Sequence, residues 1–159
     1  MKMRAGIGYD VHPLSGGRPL ILGGVQIPFP LGLEGHSDAD VLLHAIMDAL
    51  LGAAAQGDVG THFPPDDPRY LGISSLLLLQ EVAGLLEKIK FTVQNIDSIV
   101  VAQKPRLSPY IQAMRRNIAG ALNLEENLIS VKATTTEKLG FTGEGKGIAA
   151  YAIAMLVKK

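Results

Sequence analysis

The sequence predicts an α+β domain: a single mixed β-sheet with helices packed on one face. Three observations predict it. Strand-like and helix-like patterns interleave irregularly, with no repeat, low-complexity tract or linker between them. The 159 residues suit one domain, spanning 1–159, with a core of ordinary size. Finally, Ile148 to Val157 is apolar at every position, whereas a strand with one wet face alternates. Helices cover one face of that strand. The other face asks for a second subunit, the alternative being an internal strand in a thicker domain.

The elements follow in order. MRAGIGYDVH (3–12) reads as a strand, and PLILGGVQIPF (19–29) as a second one after a turn at Ser15-Gly16-Gly17. Gly32 and Gly35 mark a loop. Ser37 is placed to cap a helix, with Asp40 three residues on completing a capping-box pattern. Leu42, Ala45, Ile46, Ala49, Leu50 and Ala53 then form one apolar face. GDVGTHFPPDDP (57–68) is a loop by its glycines and prolines. A second helix fills roughly 72–89, with Leu76, Leu79, Val82, Ala83 and Leu86 at helical spacing. FTVQNIDSIVVAQ (91–103) is a strand, Leu107 to Leu122 a third long helix, LISVKATTT (128–136) a strand, and GIAAYAIAMLV (147–157) the last one.

Composition excludes several classes. Fifteen Lys and Arg balance fifteen Asp and Glu, so nothing draws the chain as a whole to nucleic acid or a membrane surface. Any anion site is therefore local. The absence of cysteine removes disulfides, thiol nucleophiles and Cys-bound zinc, and fits a reducing compartment. No apolar run spans a bilayer or resembles a signal peptide. The expected location is the cytoplasm, with a plastid open if a transit peptide has been removed.

The chemistry begins at GYDVHP (8–13). In an extended strand Asp10 and His12 point to the same side, which fits either two ligands of one metal ion or a solvated strand end. His44 lies in the first helix, away from its apolar stripe, on one side with Asp40 and Asp48 at spacings of four. A lone helical histidine is usually a surface or satisfied core residue. With Asp10 and His12 it makes an Asp-His-His set, and three protein ligands with one open position is the pattern of a catalytic zinc. Asp48 is positioned to orient a ligand imidazole. His36 and Ser37 precede the helix, where N–H groups favour an anion, while His62 has no such company and reads as a loop residue. KATTTEK (132–138), followed by the glycine-rich LGFTGEGKG, reads as a strand end approaching a ligand. AQKPRLSP (102–109) carries two cations around a proline and equally fits a basic loop leading into a helix.

GYDVH, LEGHSDADVLLHAIMDALLGA (33–53), GDVGTHFPPDDP, AQKPRLSPYI (102–111) and KATTTEKLGFTGEGKGIA (132–149), in this order and spacing, resemble the 2-C-methyl-D-erythritol 2,4-cyclodiphosphate synthases of the non-mevalonate isoprenoid route. The resemblance implies a homotrimer whose sheets line its centre, with active sites between adjacent subunits. It implies one Zn2+ per subunit on Asp10, His12 and His44, and a second divalent cation, Mg2+ or Mn2+, with the substrate diphosphate; Glu137 is the candidate to hold it. Substrate contacts carry over to Asp10, His12, His36, Ser37, Asp58, Val59, Gly60, Phe63, Pro64, Pro65, Asp66 and Asp67. Those on the cytidine side carry over to Ala102, Gln103, Lys104, Pro105, Arg106, Leu107 and Ser108, and to Thr134, Thr135, Thr136 and Glu137. Phe141 and Glu144 complete the set, with His36 and Thr135 as transition-state stabilisers. The implied reaction converts 4-diphosphocytidyl-2-C-methyl-D-erythritol 2-phosphate to the 2,4-cyclodiphosphate with release of CMP. A zinc phosphohydrolase and a non-catalytic trimer binding a nucleotide or isoprenoid diphosphate are the alternatives. One position departs from the family pattern: many relatives have an arginine after G-F-T-G, at the trimer axis, where it can hold an isoprenoid diphosphate. Here Glu144 stands there, with Lys146 two residues on and expected to pair with it.

Overall fold

The computed structural model describes residues 2–158. Its strands are β1 (Met3–Ser15), β2 (Leu20–Leu22), β3 (Val25–Ile27), β4 (Gly32–Leu33), β5 (Phe91–Val101), β6 (Ile129–Thr134) and β7 (Gly147–Lys158). Its α-helices are α1 (Val41–Ala53), α2 (Val59–His62), α3 (Ser75–Lys88), α4 (Ile111–Leu122) and α5 (Gly140–Gly143). Five strands form a mixed sheet in the order β4-β1-β7-β5-β6. β7 is antiparallel to both β1 and β5, while β5 and β6 run parallel, Ile96 opposite Ile129 through Val101 opposite Thr134.

Residues 19–29 are not one strand but a separate hairpin, β2-β3. Leu22 pairs with Val25 across Gly23 and Gly24, whose φ values of 57° and 70° supply the left-handed pair that a two-residue turn demands. The start of α1 also differs from expectation. Ala39 has φ 58°, which ends any helix begun at Ser37, and the Ser37 hydroxyl accepts from the Ala39 N–H in a local turn. Asp40 is the true cap. Its carboxylate accepts from Leu43 N at 3.1 Å and reaches across to Gly23 N at 3.0 Å and Gly24 N at 2.7 Å. A single buried side chain thus closes the helix and anchors the hairpin turn to it. Burial pushes this carboxyl up to about 6, with Asp38 nearby adding to the rise and the three N–H donors opposing it.

α1 is apolar well beyond the expected stripe, because the sheet, α3 and the hairpin enclose it. It lies directly on β1 and β7. In β1, Gly6, Gly8, Asp10 and His12 share the face toward α1. A Cβ on Gly6 would stand 2.0 Å from the Ala49 carbonyl oxygen, and one on Gly8 1.8 Å from that of Ala45. Glycine is required where the helix touches the strand; further along the strand, the same face carries the two polar residues.

β7 explains its own composition. Ile148, Ala150, Ala152, Ala154 and Leu156 are buried toward α1. Tyr151 and Ile153 alternate with them, on the opposite face beside Ile7, Tyr9 and Val11 of β1, and remain exposed; Ile7 is 73% exposed. Tyr9 and Tyr151 sit directly across from one another, ring centroids 4.8 Å apart. The single chain therefore leaves an apolar sheet face uncovered.

Candidate metal centre and substrate cleft

Asp10 and His12 come from β1, and His44 from the first full turn of α1. His12 Nε2 lies 2.9 Å from Asp10 Oδ2, His44 Nδ1 3.0 Å from the same oxygen, and the two ring nitrogens 3.1 Å apart. Among the described residues this is the one cluster of three such groups. Bonds of about 2.0–2.1 Å to a tetrahedral ion would set the donor atoms roughly 3.3 Å apart, so the preformed triangle needs only slight opening. The donor set of two imidazoles and a carboxylate fits zinc.

The outer contacts fix which nitrogen faces the site. His12 Nδ1 donates to the Glu34 carbonyl at 2.6 Å, leaving Nε2 to face Asp10, where it donates when the ring is protonated and offers a lone pair to an ion when it is not. Glu34 is carried there by β4, which pairs with the end of β1, and by its own N–H bond to the Pro13 carbonyl at 2.9 Å. His44 Nε2 faces the hydroxyls of Ser75 at 3.0 Å and Ser37 at 3.2 Å.

Burial works against ionising Asp10, yet hydrogen bonds and positive charge from His12 and His44 hold its carboxyl well below the usual range. For His12, burial is likewise outweighed by the bond and charge of Asp10, so its pKa is raised. In the metal-free protein, Asp10 then contributes stability above about pH 3.8, lost as pH falls through its lowered pKa. His12 contributes below about pH 6.5, lost as pH rises through its raised one. We expect the melting-temperature advantage of metal-free wild type over His12→Gln to be greatest near pH 5–6 and to shrink toward pH 8.5. A metal ion bound there would reverse the upper limb, because it would take the deprotonated ring. An advantage that grows with pH in the absence of metal would contradict the assignment.

The triad opens into a cleft of about 260 Å³ that also takes in His36, Ser37, Asp48, Val59, Gly60, Phe63 and Pro65. His36 is held through Nε2 by the Asp67 carbonyl at 2.8 Å. The loop 57–68 is more ordered than its composition suggests: Asp58 caps α2, accepting from Thr61 N and Oγ1, both at 2.8 Å. His62 closes α2, its ring bonded to the Gln56 carbonyl at 2.7 Å. Asp48 does not orient an imidazole. Its Oδ1 accepts from Val59 N at 2.8 Å, so it fastens the 58–60 turn to α1 instead. Pro64, Asp66 and Asp67 continue the loop, with Asp67 tied to Arg69 at 2.6 Å.

The remaining predicted residues gather elsewhere. Ala102 to Ser108 line a second hollow of about 440 Å³ with Thr134 and Thr135, brought together where the parallel β5 and β6 end side by side. Within one chain neither Thr135 nor Glu137 lines the metal cleft. Thr135 Oγ1 accepts from Glu137 N and donates to its carboxylate at 3.3 Å, and Thr136 donates to the Leu139 carbonyl at 2.6 Å. Glu137 and Lys138 are both left-handed, at φ 53° and 65°. Phe141, in α5, is half exposed. Glu144 and Lys146 pair at 2.6 Å, as expected.

The model of the YgbB family matches residues 3–157. A 2-C-methyl-D-erythritol 2,4-cyclodiphosphate synthase of Pelotomaculum thermopropionicum is 62% identical over 98% of this chain and 96% of its own. That of Clostridium novyi is 59% identical over 99% and 100%. Among solved structures, the CDP complex of IspF from Plasmodium falciparum superposes with TM-score 0.86 at 37% identity, covering 99% of this chain and 97% of that one. The bifunctional IspDF of Campylobacter jejuni gives TM-score 0.96 at 45% identity; this chain covers 43% of that longer protein. From Met3 to Val157, strand glycines and Asp-His-His site included, the chain belongs to the YgbB family.

Proposed function

We propose that this protein is a 2-C-methyl-D-erythritol 2,4-cyclodiphosphate synthase. The observation that carries the reading is the Asp10–His12–His44 triangle at the mouth of a cleft, in a chain about 60% identical throughout to proteins of that name. The 2-phosphate oxygen of 4-diphosphocytidyl-2-C-methyl-D-erythritol 2-phosphate attacks the β-phosphorus of the same molecule. A P–O bond forms, the P–O bond to CMP breaks, and its electron pair leaves on CMP. The nucleophile is already an anion, so the protein's tasks are folding the substrate and neutralising charge.

Asp10, His12 and His44 would hold a zinc ion, which when bound would supply Lewis-acid polarisation of a phosphoryl oxygen. His36 and the Ser37 hydroxyl line the same cleft. The fastened 58–60 turn and Phe63 wall the erythritol side, and the hollow of residues 102–108 with Thr134 and Thr135 takes the cytidine. Glu137 is the residue that would hold a second ion, Mg2+ or Mn2+, which would neutralise phosphate charge. The metal cleft and the cytidine hollow are separate in one chain, and the uncovered face around Ile7, Tyr9, Tyr151 and Ile153 is apolar. Both features favour a homotrimer in which one subunit's hollow completes its neighbour's cleft. An obligate interface typically buries more than about 2,000 Å², so light scattering is expected to give a trimer at assay concentration; a monomer would remove the shared-site account. Among the described residues no helix is long and apolar enough to cross a membrane; we assign the protein to the cytoplasm.

Incubation with the substrate and magnesium, followed by phosphorus NMR, tests the activity. CMP and a cyclic diphosphate are expected. Inorganic phosphate would mark a hydrolase, and an unchanged spectrum a binding protein. The Glu144–Lys146 pair yields a separate prediction. A glutamate lacks the forked donors of an arginine and repels anions, and here the nearby lysine is already engaged. Geranyl or farnesyl diphosphate is expected to bind the trimer axis weakly or not at all by calorimetry. Micromolar binding, lost in Lys146→Ala but kept in Glu144→Ala, would instead make Lys146 the anchor.

A further inference from the structure

We infer that Ser75 and Asp38 are positioning residues for the metal centre, acting through His44. To offer Nδ1 to an ion, a neutral His44 must carry its proton on Nε2. The Ser75 hydroxyl stands 3.0 Å from that nitrogen. A hydroxyl accepting there must direct its own proton elsewhere, and it lies 2.5 Å from Asp38 Oδ1. The chain then has one direction: His44 Nε2–H to Ser75 Oγ, and Ser75 O–H to the Asp38 carboxylate. A carboxylate cannot donate, so the order cannot run backwards.

The wiring is held at each end. Ser75 is fully buried as the first residue of α3. Asp38 Oδ2 accepts from Ser75 N at 3.0 Å, and Oδ1 from Asp40 N at 3.2 Å. The left-handed Ala39 turns Asp38 toward α3 while Asp40 turns back to cap α1. Ser37 also approaches Nε2, at 3.2 Å, but its oxygen already accepts from Ala39 N and it has no carboxylate behind it. Partners of this kind fix a ligand ring's tautomer and raise its basicity, and their loss typically lowers metal affinity about 10–100-fold.

The inference rests on the reading that Asp10, His12 and His44 hold zinc. A purely structural account is available: Asp38 caps α3, and the Ser75 hydroxyl merely fills space. Ser75→Ala separates the two, because it keeps the capped N–H and removes only the hydroxyl. Zinc affinity is measured by competition with a chromogenic chelator for wild type, Ser75→Ala, Asp38→Asn and His44→Ala, alongside metal-free melting temperatures. The expected result is a zinc affinity about 10–100-fold weaker in Ser75→Ala, a smaller loss in Asp38→Asn, and metal-free melting close to wild type in Ser75→Ala. Wild-type affinity in folded Ser75→Ala, with binding lost in His44→Ala, would overturn the inference alone. No zinc on wild type would overturn the metal reading and the inference with it. Should Ser75→Ala fail to fold, Asp38→Asn decides: unchanged affinity there overturns the inference.

Discussion

His44→Ala is expected to fold normally, to emerge from dialysis with almost none of the zinc that wild type retains at about one equivalent per chain, and to lose turnover by at least about a thousandfold. On the proposed reading the ring is one of three donors, and Asp10 with His12 alone would hold an ion far less tightly. Stability should fall only modestly, through the lost contact with Asp10. Alanine is the best helix former, and the apolar residues that hold α1 to the sheet are untouched. The local losses are the contact with Asp10 Oδ2 at 3.0 Å and a proton donor to Ser75, whose hydroxyl keeps its bond to Asp38. Elemental analysis with a thermal melt checks both halves. A variant with full zinc and full turnover would remove His44 from the site, and one that does not fold would make its role structural.

What is legible in the sequence follows from the range of the contacts involved. The two-residue period of a strand finds Asp10 and His12, and the helical side shared with Asp40 and Asp48 finds His44. Both are local patterns, and the β1–α1 packing brings them together. Family resemblance supplies the expectation of cytidine-side contacts; the parallel pairing of β5 with β6 gathers 102–108 and 134–135 into one hollow. The misses are contacts that no local period encodes. Ser37 reads as the cap and Asp40 as its capping-box partner, and only the left-handed Ala39 makes Asp40 the cap instead. Gly23-Gly24 between two short apolar runs is a hairpin signal, hidden when the runs are read as one strand. Asp48 spends its carboxylate on a backbone N–H eleven residues away. Glu34 and Ser75 reach the histidines from 22 and 31 residues away, through a sheet edge and a helix start. Asp38 lies within the motif, but its partner does not.

Gly8→Ala is expected to be among the most damaging single-methyl additions the chain can receive. The new Cβ would lie 1.8 Å from the Ala45 carbonyl oxygen, 2.8 Å from the Ala45 carbonyl carbon and 2.9 Å from Ala49 N. All three are helix backbone, so no rotamer change relieves them. Either α1 lifts from the sheet by more than about 1 Å or β1 bows away, and close packing along the whole contact is lost. The cost belongs at or above the top of the overpacking range, about 3 kcal/mol, which for a chain of this size lowers the melting temperature by roughly 10 °C. The same displacement separates His44 from Asp10 and His12, whose donor atoms now stand 2.9–3.1 Å apart, so zinc affinity falls with stability. Gly84→Ala is the control. Gly84 lies mid-helix in α3 with nothing within 4 Å of where a methyl would stand, and alanine there should stabilise by about 0.5–1 kcal/mol through helix propensity. Opposite signs in thermal melts of the two variants, with zinc affinity lowered only in Gly8→Ala, are the expected result. Equal melting shifts would mean that α1 does not rest on the glycine track of β1, and that something else sets the spacing of the triad.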